Sequence, residues 1–503
     1  MKRYCAAVAV LLIFSIPFIG GGAEAATYKF GPNVYGYTTH GTGSSGDPYW
    51  SEIISFDSSD EYVTVQSALE GYTLTDISYG SFNECAGMKV LVLPITLKNI
   101  GASAFEKCAS LEKIYFLGDK PSIGAGAIPS GVEIYCLSGT SGWDPSVPVL
   151  ALETYAGIGY SFSYYVIDGK ATVHSWISGT DIVIPSHLGG YPVEEVGNES
   201  FRGKQITSVV FDDAITKIGV RAFYGCSRLV TAVLPSSLVM VGDEAFRSCS
   251  RLNNVDLQNA EYIGFESFRM CRSFTEVIIP DSVTVMMGGA FRVCSSVVSL
   301  TIGSGITEIP DWAFDRYSSL ENLEIRGKVT SVGNNAFLNI VSDAPKLERI
   351  SLPYAETIGS GAFSGCIELK EVIFGDGLKE IGAEAFRNCR SLQTISLPAS
   401  VEKVGDRAFM GAVRLADIYF EGPMPQFGAN VFVNTGNNLT VHVTEAQSGS
   451  WAEFEGNVKA VSDARDDGPS GGGFWTPATM AAVAAAVIGC VAAAGYFMFV
   501  RRP

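Results

Sequence analysis

The sequence predicts a repeat solenoid, a chain wound into stacked coils of about 23 residues, each carrying one β-strand and a tight turn or short helix. Three observations predict it. Phenylalanine recurs at Phe82 and Phe105, then at Phe201, Phe223, Phe246, Phe268, Phe291, Phe314, Phe337, Phe363, Phe386, Phe409 and Phe432. These steps are 22 or 23 residues within each run, except from Phe337 to Phe363, where the polar stretch Ser342 to Lys346 reads as an insertion. One frame surrounds each ring, clearest over Ile381 to Pro398 as IGxxAFxxCxxLxxIxLP. A coil this short cannot bury its ring and its strand residues alone, so each must stack on its neighbours.

Within the frame every position has a physical reading. Leu392, Ile395 and Leu397 form the strand, and Pro398 ends it because proline cannot donate to a ladder. Glycine at Gly219, Gly242, Gly264, Gly333, Gly359, Gly382 and Gly405 stands where the chain turns tightly or another backbone comes close. Alanine before the phenylalanine leaves room beside a large ring.

This frame resembles the BspA-type leucine-rich repeats of bacterial and related surface proteins, over roughly residues 70 to 420 with a gap in the middle. The resemblance implies display at a cell surface and a role in adhesion. Taken in chain order, residues 1–25 read as a secretory signal: Lys2 and Arg3, an apolar run from Ala6 to Phe18, and small residues around Ala23 and Ala25. Residues 26–155 form a short array whose opening module, Tyr35 to Ser59, is Gly/Ser-rich and irregular. Residues 156–462 form a long array. It opens with the hairpin Tyr164 to Val173, turning at Asp168-Gly169, and the stretch from Asp181 to Val193 leads into its first coil. A similar closing module ends both arrays, at Ile114 to Trp143 and at Ile418 to Trp451.

Residues 463–476 read as a flexible polar linker. Residues 477–503 read as one transmembrane helix with a short tail. Met480 to Val500 is an uncharged run of 21 residues, and Arg501 and Arg502 hold its end in the cytoplasm with the bulk of the chain outside. Weak self-association through Ala485, Gly489 and Ala493 is a further expectation.

Composition narrows the function. With 52 acidic against 35 basic residues and a net charge of −17, nucleic acid is excluded as an expected partner. Four histidines, and the absence of GxSxG, HExxH and Walker sequences, leave no expected catalytic, metal or cofactor residues. Gly41 to Gly46 matches GxGxxG without the strand and helix that phosphate binding needs, so it reads as a loop. The aspartates from Asp463 to Asp467 lack the spacing of a calcium loop. Cys85, Cys108, Cys226, Cys249, Cys271, Cys294, Cys366 and Cys389 all fall three residues after a phenylalanine. Residues in register on stacked coils stand about 5 Å apart with parallel side chains, whereas a disulfide needs Cβ atoms about 3.8 Å apart and converging. Buried free thiols are therefore expected, the more so because Tyr317, Ile340 and Ala412 fill the same column elsewhere. Asn198 and Asn438 begin glycosylation sequons.

Strand alternation turns two columns outward. From them come the candidate partner-binding residues Asn254, Asp256, Glu276, Ile278, Asn322, Glu324, Arg349, Glu371, Ile373, Asp417 and Tyr419. Eleven stacked coils present a face on the order of 50 Å long, suited to an extracellular protein or glycan. The leading expectation is a surface binding protein or adhesin and not an enzyme. The rivals are an envelope protein that binds copies of itself and a repeat-scaffolded hydrolase, which a convergent, water-excluding cluster of carboxylates in residues 27–60 or between the arrays would favour.

Overall fold

The computed structural model describes residues 25–461 except 31–32, 42–47, 83–84, 340–345 and 455. The expected signal (apart from Ala25), linker and membrane helix, most of the Gly41 loop, and Ile340 with most of the insertion lie outside the described residues. What is described is a β-solenoid of many coils. Among the described residues there is no α-helix, and one 3-10 helix, Glu445–Trp451, near the C-terminal end. None of these residues forms a helix long and apolar enough to cross a membrane.

Most coils carry two strands, where the sequence suggested one; the coil with Asn254 and Asp256 keeps only the second. The expected strand is there, as at Glu276–Ile279, Ser299–Ile302 and Asn322–Ile325, paired in parallel with Glu276 opposite Ser299 and Ser299 opposite Asn322. The second is only two residues long, as at Tyr262–Ile263, Val285–Met286 and Glu308–Ile309. Two residues show no alternation, which is why the pattern hid it. It includes the isoleucine or valine just before the frame glycine. That glycine answers a close approach: a Cβ on Gly382 would lie 2.6 Å from the Ser360 amide nitrogen of the coil below.

The third side of each coil is a turn, and it too is bonded to the next coil. Phe223 N donates to Ala245 O at 2.7 Å and Phe246 N to Ser267 O at 2.7 Å. These bonds hold Arg221, Glu244 and Glu266 at positive φ near 50°, a conformation that non-glycine residues seldom adopt. The phenylalanine rings stack inside this turn, nearly parallel, at 5.0 Å for Phe201 and Phe223, 5.1 Å for Phe223 and Phe246 and 5.4 Å for Phe246 and Phe268.

The cysteine column lies beside the rings, buried and free of disulfides. Each thiol points at the carbonyl of the phenylalanine one coil earlier, as Cys249 Sγ to Phe223 O at 3.1 Å and Cys271 Sγ to Phe246 O at 3.3 Å. A small apolar group with a weak donor suits the site. Burial pushes the Cys226 and Cys294 thiols up to about 12, so they stay protonated and unreactive.

The wide ladder is interrupted. It stops before Glu276–Ile279, before Arg349–Leu352 and before Thr394–Leu397. All three strands run into proline, at Pro280, Pro353 and Pro398. At some intact rungs the residue after the strand donates one more bond backward, as Asp212 N does to Ile184 O at 3.0 Å and Arg326 N to Ile302 O at 2.9 Å, although Thr231–Val233 keeps its pairing with Pro235 following it. Proline has no hydrogen to give, so the rung loses a bond there.

Residues 25–150 are built in the same way, and Glu153–Gly157 already pairs with Tyr160–Ile167 of the later coils. Three antiparallel strands, Ala25–Phe30, Asn33–His40 and Trp50–Asp57, open the former, a regular module in the stretch where the sequence looked irregular. Glycine and serine there keep the strand pattern indistinct, but Tyr35, Tyr37, Ile53 and Phe56 are all buried. The apolar core of this region is contiguous with Val220, Met240 and Tyr262 of the later coils. Arg221 donates to Gly71 O at 2.8 Å and Thr73 Oγ1 at 3.0 Å across the junction.

Candidate binding face

The outward columns stand where alternation puts them, but their exposure is uneven. Asn254, Asp256, Glu276, Asn322, Glu324, Arg349 and Glu371 are exposed, and Ile278 is 48% exposed although apolar. Val183, Val210 and Val233 continue the Ile278 column toward the N-terminal end; they lie opposite one another in register and are all exposed. Ile373 is half-buried.

The C-terminal end of the face departs from expectation. Tyr419 is 7% exposed, because the ring of His442 on the next rung stacks on it at 4.4 Å. Asp417 is half-buried and holds the His442 Nε2 at 2.7 Å. Tyr419 and Asp417 are thus engaged within the protein. Register brings His442 opposite Tyr419 from the coil with no frame of its own, so no column in the sequence announced it.

Charges on the open stretch form exposed pairs within or between coils: Arg326 Nε with Glu324 at 3.0 Å, Arg349 Nη2 with Glu371 at 2.9 Å, and Lys370 Nζ with Glu348 at 2.6 Å. Exposed pairs add little stability. A partner's charges can replace them at small cost.

Between Asn322–Ile325 and Arg349–Leu352, where the ladder is broken and the insertion falls, a polar-rimmed cleft of about 570 Å³ opens on this face. Asn322, Glu324 and Arg349 line it, with Leu300, Leu323 and Leu347 below. The sequence carried its signal in the 26-residue step from Phe337 to Phe363. Among the described residues the ladder is open on this side, while Ser331 and Thr357 remain paired on the other.

The equivalent face of the first array is covered. Val90, Val92, Tyr115, Leu137 and Leu150 are buried together with Tyr165 and Ile167 of the hairpin Tyr160–Ile167/Lys170–Ser178, and Lys113 reaches Asp168 at 3.3 Å beside them.

Carboxylates do converge at the junction between residues 25–150 and the later coils, where the hydrolase rival would have them. Asp243 and Glu244 meet Glu70, Tyr28 and Tyr262 there. Asp243 is 0% exposed; its Oδ1 accepts the Phe265 amide at 2.8 Å, and burial, with the charges of Glu70 and Glu244, pushes it up to about 8. Glu244 is 1% exposed and held by Arg221 and Arg247. Both acids are closed off from solvent and Glu244 is paired with Arg221 and Arg247, so in this arrangement the cluster packs the junction. Among the described residues no group of three or more metal-ligating side chains converges.

Compared with known proteins, the chain matches the model of the BspA type leucine-rich repeat region over residues 61–130, 194–260, 258–342 and 341–448, more than half its length. No curated protein sequence matches it. Among solved structures it is similar to a leucine-rich repeat protein of Treponema pallidum, at 29% identity over 36% of this chain and 86% of that one, with a TM-score of 0.35. It is also similar to a leucine-rich repeat protein of Bacteroides ovatus, at 24% identity over 61% and 99%, with a TM-score of 0.32. A third is the pneumococcal vaccine antigen PcpA, at 16% identity over 61% and 98%, with a TM-score of 0.34.

Proposed function

This chain belongs to the BspA-type leucine-rich repeat family, and we propose that it is an exported surface protein that binds an extracellular partner through the sheet face of its later coils. The observation that carries this reading is the contrast between the two sheet faces. The one over residues 90–150 is sealed by the hairpin carrying Tyr165 and Ile167, while the one over residues 181–373 is left open, with varied side chains on a rigid ladder. A row of exposed Val183, Val210, Val233 and Ile278 beside acidic Asp256, Glu276 and Glu324 suits a protein partner with apolar and basic groups better than a glycan alone. Two arrays, 26–155 and 156–462, form the ectodomain, with the first a fixed buttress of the second. Residues 1–25 direct export and residues 477–503 hold the chain in the membrane.

The experiment is a pull-down from extracellular matrix and from host and neighbouring cell surfaces with the ectodomain, against a variant with Glu276→Ala, Glu324→Ala and Glu371→Ala. Capture should fall at least tenfold; equal capture by both would count against this face. Mass spectrometry of both mature termini, with membrane fractionation of the chain with and without residues 477–503, tests export and anchoring.

A further inference from the structure

The cleft at the broken rung has the form of a vacant place in a parallel sheet. Asn322–Ile325 pairs with Ser299–Ile302 on one side, and Arg349–Leu352 with Glu371–Phe374 on the other. Among the described residues no backbone hydrogen bond joins the two strands to each other. By the register of the neighbouring rungs, the amides and carbonyls of Leu323 and Ile325 on one edge and of Arg349 and Ser351 on the other are the groups left facing the gap. Unpaired strand edges are templates for another strand. Here two edges face each other with a leucine floor, and Leu323 and Ile325, which would be sealed in an intact rung, are only half-buried.

Resting on the surface-binding reading above, we propose that this cleft is its recognition site for an extended peptide segment of the partner protein, which inserts as the missing rung. Each flanking strand is four residues long, so the inserted segment is about four residues, or roughly 13 Å. Backbone bonds to both edges supply the affinity, and alternate side chains supply the choice. Side chains turned inward meet Leu323 and Leu347 and are apolar; those turned outward pass Glu324, which favours a basic residue there because Arg349 on the opposite edge is already paired with Glu371.

The test is selection of a random heptapeptide phage library on the full chain, followed by synthesis of an enriched peptide and fluorescence anisotropy. Three changes report on it. Ser351→Pro removes one edge amide that has no partner in the fold, so the protein stays folded. Methylation of alternate peptide nitrogens removes the donors of the incoming strand. Glu324→Gln removes the charge that selects a basic residue. Strand insertion predicts that Ser351→Pro and methylation each weaken binding at least tenfold and that Glu324→Gln relaxes the preference for Lys or Arg. Failure to enrich any peptide, or equal binding to the Ser351→Pro protein, overturns the cleft. Failure of the cleft is separable from failure of the face. If pull-down of the intact partner still depends on Glu276 and Glu371 but not on Ser351, the face stands and its ligand, peptide surface or glycan, lies elsewhere on it.

Discussion

Replacing Asp243 with asparagine should make the protein more stable near neutral pH and flatten its pH dependence. Asp243 sits under Tyr28 and Tyr262, with Glu70 and the arginine-paired Glu244 facing it, and has no exposed surface. Its folded value of about 8 lies above the ordinary 3.8, so the native state holds this proton more tightly than the unfolded chain. Its contribution is complete below pH 4 and falls by about 1.4 kcal/mol per pH unit until pH 8, where the native carboxyl ionises as well. Between pH 5 and pH 8 that amounts to about 4 kcal/mol. The asparagine would keep an oxygen for the Phe265 amide and carry no charge at any of these values. Because a solenoid need not unfold in one step, the assay is hydrogen exchange by mass spectrometry at peptides covering residues 71–74 and 262–267, taken from pH 5 to pH 9 and corrected for intrinsic exchange. The gap in opening free energy between Asp243→Asn and the parent should widen by several kcal/mol over that range. A gap that stays constant from pH 5 to pH 8 would refute a neutral buried acid at this junction.

Phe268→Ala removes one ring from a stack in which Phe246 and Phe291 stand 5.4 and 5.1 Å away, and should cost about 3–5 kcal/mol. Urea unfolding followed by circular dichroism would show a lower midpoint, and a loss under about 1 kcal/mol would count against the shared core. The thiols of Cys226, Cys249, Cys271, Cys294, Cys366 and Cys389 should resist aromatic disulfide reagents until urea is added, with a native mass showing no loss of two hydrogens per pair; fast labelling without denaturant, or a disulfide mass, is the contrary result. In a glycosylating host Asn438 should carry glycan and Asn198 should not. Asn438 is exposed, while the Asn198 Oδ1 is used in the fold, accepting the Val220 amide at 2.9 Å; peptide mapping that finds sugar on Asn198 would contradict this.

What the sequence determined by itself was the local repeat and everything that follows from register. A side chain in one coil meets the same position in the next, so a period of 22 or 23 residues was enough to align Phe246, Phe268 and Phe291, to keep the cysteines as thiols, and to put Glu276 and Glu324 outside. Larger matters depended on contacts between residues far apart in the chain. The two-residue strands at Tyr262–Ile263 and its neighbours exist because coils stack, and nothing in two residues betrays a period. Tyr419 lost its exposure to His442, which arrives from a coil outside the frame. The sealing of residues 90–150 by Tyr165 and Ile167, and the burial of Asp243 beneath Tyr28, join segments with no pattern in common. The cleft beside Glu324 lies between these extremes. Its insertion was legible as a longer step, but that the ladder opens between Asn322–Ile325 and Arg349–Leu352 while Ser331 and Thr357 stay paired is seen only in three dimensions, because a period counts residues and not which side of a coil keeps its hydrogen bonds.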